Sequence, residues 1–114
     1  MKLVTAYIHD FMTDKVTDAL RLGKIHGVTT IKCQGFGQKA SAEEGGRYLD
    51  SDVEIGFAPK TKIEIVCRDE ECDGIVEVIR EAAHTGRHGD GKIFIGEKTD
   101  VVDIRSGDRG EDIL

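Results

Sequence analysis

The sequence predicts an α+β fold, a ferredoxin-like split βαβ sandwich, on three observations. Strand-like and helix-like segments follow the order β-α-β twice. A stretch without periodicity, residues 38–59, separates the two halves. Each helical segment carries one apolar stripe, so both can cover a single face of a four-stranded antiparallel sheet. Apolar side chains such as Val66 are left for the opposite face, and closing several subunits around that face is one way to bury them.

Taken in order, residues 2–9 read as a strand by β-propensity. Thr13 is placed to cap the first helix, and Asp14 sits in a first turn where negative charge suits the helix dipole. Val16, Ala19 and Leu20 repeat at i, i+3, i+4, which predicts a short amphipathic helix over 14–22, ended by Gly23. Residues 28–34 form a second strand rich in β-branched side chains. From 38 to 59 the pattern stops, with a Gly45-Gly46 pair and charges of both signs. A loop this long inside a compact domain is usually functional or disordered, and it is the most informative irregularity in the sequence. Residues 62–67 alternate, with Ile63, Ile65 and Cys67 on one face. Ile75, Val78, Ile79, Ala82 and Ala83 then predict a second helix over about 72–84, with Gly86 as its cap. Residues 92–96 are a fourth strand, 100–105 a short fifth, and 106–114 a charged tail.

The 114 residues suit one domain, 1–114. A domain of this size buries only about two-thirds of its unfolded surface, which favours oligomerisation. A formal charge of −6 argues against nucleic acid as a partner. No apolar run approaches the roughly 20 residues of a membrane helix, and the opening residues are too short and polar for a secretory signal before His9 and Asp10 interrupt them. A cytoplasmic protein is expected. Cys33, Cys67 and Cys72 have no zinc spacing; Cys33 and Cys67 read as small core hydrophobes and Cys72 as a residue at a helix start. His9, His26, His84 and His88 share no ligand spacing, so no metal site is expected.

Glycine supplies 14 residues, and most of them cluster. One cluster is Gln34-Gly35-Phe36-Gly37-Gln38-Lys39; the other is Thr85-Gly86-Arg87-His88-Gly89-Asp90-Gly91-Lys92. Glycines let backbone N–H groups approach an anion closely, and Arg87 and Lys92 add positive charge. Neither segment is a Walker A loop, because Lys92 opens a strand and not a helix.

These two segments, together with Val28-Thr29, Pro59-Lys60-Thr61-Lys62-Ile63-Glu64-Ile65-Val66 and Ile93-Phe94, resemble the nitrogen-regulatory PII family. The resemblance is strongest from Thr85 to Phe94. It implies a homotrimer, non-catalytic, with ATP or ADP in the clefts between subunits. The nucleotide would be held by Thr29, Gly35, Phe36, Gly37, Gln38, Glu64, Arg87, Gly89, Asp90, Gly91, Lys92 and Arg105. Lys92 would act as a point charge on phosphate and Arg105 as a fork. The resemblance also implies a second ligand, 2-oxoglutarate or another anion, at Gln38, Lys39 and Lys60 and reached through Mg2+-bound ATP. The 38–59 loop would then act on a target protein, a transporter or a metabolic enzyme.

The sequence departs from the family pattern at three points. Asp103 stands where the family places the first of two arginines, which points to weaker triphosphate binding, a preference for ADP or AMP, or a stronger need for a cation. The loop is longer, so the register of Gln38 is open. The tyrosine that is modified in some relatives has no clear counterpart. A regulator tied to bicarbonate or metal transport, and a slow phosphohydrolase on the same fold, are the alternative readings.

Overall fold

The computed structural model describes residues 1–37 and 57–114. Four strands and two helices appear in chain order: β1 (Lys2–His9), α1 (Thr13–Leu22), β2 (Val28–Gly35), β3 (Ala58–Cys67), α2 (Asp69–Ala83) and β4 (Lys92–Glu97). The strands make one sheet in the order β2-β3-β1-β4, every pair antiparallel. This is the expected split βαβ arrangement.

Period-2 alternation divides the sheet into two faces. Val4, Ala6 and Ile8 of β1 and Thr61, Ile63, Ile65 and Cys67 of β3 are buried. They pack with Val16 and Leu20 of α1 and Cys72, Ile75 and Ile79 of α2 in one cluster. Both helices therefore lie over this face. The buried Thr61 is hydrogen-bonded on two sides: its hydroxyl donates to Asp10 Oδ1 at 3.0 Å and lies 2.7 Å from Thr13 Oγ1. That contact ties the turn after β1 to the middle of the sheet.

Several boundaries differ from expectation, each for a local reason. Thr13 is the first helical residue and not the cap; its hydroxyl donates to Asp10 O across the short 3-10 turn Asp10–Met12. The end of α1 is as expected: Gly23 is its C-cap at φ −75°, its N–H donating to the Ala19 carbonyl at 3.0 Å, and the left-handed Lys24 (φ 58°) follows. α2 begins three residues earlier than the expected start at 72, because Asp69, Glu70 and Glu71 suit its N-terminal dipole and Glu71 accepts a hydrogen bond from the Arg68 N–H at 3.0 Å. It ends at Ala83, and Gly86 (φ 87°) belongs to the following turn. β3 reaches back to Ala58, which takes two residues from the expected 38–59 loop. Residues 38–56 of that loop, Gln38 and Lys39 among them, lie outside the described residues.

The fifth strand does not form. Residues 101–110 make a closed turn instead, with a single bridge between Val102 and Arg109. Asp103 Oδ1 accepts from the Ser106 N–H at 2.9 Å, and Arg109 clamps Asp100 at 2.6 and 2.9 Å. The tail then closes in a 3-10 turn, Glu111–Ile113, whose Glu111 carbonyl accepts from Arg68. Cys33 is also corrected. In the β2–β3 ladder it sits opposite Lys60, on the face away from the helices, and is half-buried there and not in the core. Cys67 and Cys72 are buried as small hydrophobes, with Cys72 inside α2.

Candidate functional site

The face turned away from the helices carries the candidate site residues of β2, β3 and β4. Cross-strand register places Thr29 opposite Glu64, Ile31 opposite Lys62, Cys33 opposite Lys60, and His9 opposite Lys60 on the other side. Tyr7 pairs with Lys92 at the start of β4. Lys60, Glu64, Thr29 and Lys92, separated by up to 63 positions in the chain, thus stand on one surface because the sheet interleaves the two halves.

The turn from Thr85 to Gly91 is organised by one carboxylate. Asp90 accepts from the Thr85 N–H at 2.8 Å, from the Gly86 N–H at 2.9 Å and from the Thr85 hydroxyl. His9 Nε2 lies 3.3 Å from its Oδ1. Burial pushes this carboxyl up, but the hydrogen bonds from Thr85 and Gly86 and the nearby His9 outweigh it and take Asp90 down to about 2. Asp90 therefore shapes the turn with its side chain.

Gly91 is required by close approach. It has φ 107°, and a Cβ there would fall 1.7 Å from the Tyr7 carbonyl oxygen. Gly89 (φ 90°) faces His9, whose Cε1 would be 3.2 Å from a Cβ at that position. The Lys60 ammonium donates to the Gly89 carbonyl at 2.5 Å. The strand lysine and the glycine turn, 29 residues apart, are thereby joined at one point. Burial lowers the Lys60 pKa, partly opposed by Asp90 and Cys33. His9 is lowered too, by burial first and by Lys60 second, against the attraction of Asp90.

The other end of the site is the mouth of the β2–β3 hairpin. Gly35 pairs with Ala58, and the Lys60 Cγ lies 3.7 Å from where a Gly35 Cβ would stand, in ordinary contact. Phe36 meets Phe57 edge to face at 5.0 Å and closes the hairpin just before Gly37. Arg87 is exposed on the turn. Arg105 is exposed in the C-terminal turn. Sequence reasoning missed His9 and Phe11. The signal for them is the β1–β3 register, which puts His9 beside Lys60, and Phe11 stacks on His9 at 4.7 Å. Among the described residues no group of three or more histidine, cysteine or acidic side chains could hold a metal ion.

Residues 1–108 match the family model described as "Nitrogen regulatory protein P-II". The chain belongs to the P-II family. It is 41% identical to the nitrogen regulatory protein P-II of Mesorhizobium japonicum over 114 residues, all of both chains. It is 39% identical to the nitrogen regulatory protein GlnK of Escherichia coli over 115 aligned residues, again the whole of both. The crystal structure of Arabidopsis thaliana PII bound to citrate superposes with a TM-score of 0.79 at 33% identity, covering 97% of this chain and 89% of that one. The protein is thus a P-II signal-transduction protein, a regulator and not an enzyme. Among the described residues no helix is long and apolar enough to cross a membrane.

Proposed function

We propose that this P-II protein is a cytoplasmic homotrimer that binds ATP or ADP between subunits and regulates a target protein through residues 38–57. The observation that carries the reading is the junction of Lys60 with the Gly89 carbonyl. It sets a cation and a glycine turn at the root of the long loop, so an anion bound there changes how that root is held. Lys92, exposed at the head of β4, supplies phosphate neutralisation, with the Gly89 and Gly91 backbone beside it. Thr29 and Glu64 offer hydrogen bonds for base or ribose. Lys60, with Gln38 and Lys39, would take a second anion such as 2-oxoglutarate, with Mg2+ accompanying ATP.

The oligomer follows from exposure. Tyr7, Ile31 and Phe94 are exposed on the open face, and Ile104 is fully exposed in the C-terminal turn. An apolar patch of this kind on an isolated subunit marks an association surface. A neighbouring copy placed there would also bring its exposed Arg105 toward the cleft. Asp103, committed to its Ser106 cap, leaves one cation fewer for a triphosphate, so ADP is favoured relative to ATP.

Calorimetry with ATP, ADP and AMP tests the reading, alongside light scattering for mass. The expected result is saturable binding at about one nucleotide per subunit. Lys92→Ala should weaken it at least about tenfold, the scale of one charge-assisted hydrogen bond. Absence of binding, or equal affinity in the variant, would reject it. By linkage, a target whose affinity depends on the nucleotide must change nucleotide affinity by the same factor.

A further inference from the structure

We propose that His9 forms a wall of the anion site and takes up a proton when a phosphate or carboxylate group docks between Lys60 and the 85–91 turn. This rests on the nucleotide reading above and adds to it a residue and a pH dependence.

His9 ends β1 directly opposite Lys60. Its ring is held from three sides: it stacks on Phe11 at 4.7 Å, its Nε2 lies 3.3 Å from Asp90, and its Cε1 abuts Gly89. An imidazole, an ammonium and a carboxylate therefore share one small volume. The charged and titratable groups around the ring come from each packed element. β3 contributes Lys60 and the glycine turn contributes Asp90, whereas the neighbouring Asp10 is turned toward the Thr61 hydroxyl. Cys33 lies beyond Lys60 on β2.

Of these groups, His9 is the one suited to exchange a proton near neutrality. Asp90 is held as a carboxylate by three hydrogen bonds within its own turn. Lys60, although lowered, starts from an amine value of 10.5. His9 starts from 6.5 and is pushed below it by burial and by Lys60, so its ring is neutral at pH 7. An arriving anion engages Lys60 and adds its own negative charge a few ångströms from the ring. Both changes favour imidazolium. Binding then consumes a proton, and affinity rises as pH falls from the bound-state pKa toward the lower free-state pKa. For one proton the slope is at most about tenfold per pH unit.

The test is titration of the whole protein with ADP in two buffers of different ionisation enthalpy, repeated with His9→Gln. ADP phosphate itself titrates near neutrality, so the difference between the two proteins isolates the imidazole. Wild type should take up more protons than His9→Gln, and its affinity should fall more steeply with rising pH. A histidine Cε1–H resonance missing from His9→Gln should titrate at higher pH in wild type once ADP is bound. Equal proton uptake in the two proteins, or a His9 resonance whose titration ignores ADP, would overturn the inference while leaving nucleotide binding intact. If wild type binds and the variant does not, the resonance decides. If ADP binds to neither protein, the nucleotide reading and this inference fall together.

Discussion

Asp90 and Gly91 show how two adjacent residues can set the form of a loop. Gly91 leaves room for the Tyr7 carbonyl, and the Asp90 carboxylate gathers the N–H groups of Thr85 and Gly86 just past the end of α2. The Asp90 arrangement implies a pH signature. Its folded pKa of about 2 lies below the ordinary 3.8, so its stabilising effect is complete above pH 4 and disappears as pH falls toward 2. Asp90→Asn keeps one acceptor but turns an amide N–H2 toward donors. Urea unfolding should show the variant less stable at pH 7, with the gap to wild type closing between pH 4 and 2. A gap that stays constant over that range would mean that the charge of Asp90 does not hold the turn.

At the level of elements, legibility depended on how many neighbours a strand or helix has. α2 was readable because its stripe of Ile75, Ile79, Ala82 and Ala83 meets the core along its whole length. β2 was readable as a strand but not by face. Its more apolar side, Ile31 and Cys33, points away from the helices, while Thr30 and Lys32 share the parity of the core face. An edge strand beyond the helices has its parity decided by the sheet register, which its own residues do not reveal. Residues 100–105 misled for a different reason. Val101, Val102 and Ile104 have strand propensity, but Asp103, Ser106 and Gly107 (φ 77°) together make a hydrogen-bonded turn that wins locally. α2 also carries a glycine that its internal packing does not require. Gly74 is exposed in the helix interior, and a Cβ there would meet nothing within 4 Å. Gly74→Ala should therefore raise stability by up to about 1 kcal/mol in chemical denaturation, since alanine restricts the unfolded chain and favours the helix. A destabilised variant would show that something outside the subunit needs that space.

Across the whole molecule, the site was legible as two motifs and illegible as a place. Thr85 to Lys92 announced a phosphate-type turn, yet only the sheet order brings that turn to Lys60, and no spacing in the chain foretells His9 as their neighbour. The proposed nucleotide cleft lies between subunits, which makes assembly the decisive property of the whole. Phe94 is the residue on which to test it. It lies half-exposed on the open face, touching Tyr7 edge to face at 6.2 Å, so the isolated subunit loses only about 1 kcal/mol of ring contact without it. In a closed trimer Phe94→Glu would be repeated three times, each copy desolvating a carboxylate without a matched partner at a cost of several kcal/mol. The variant should keep its far-UV circular dichroism but run at the mass of one subunit by light scattering, and its ADP affinity should collapse with the assembly. A variant that stays trimeric would move the interface to another face. A monomer that still binds ADP at wild-type affinity would place the whole site within one subunit, with Arg105 playing no part in it.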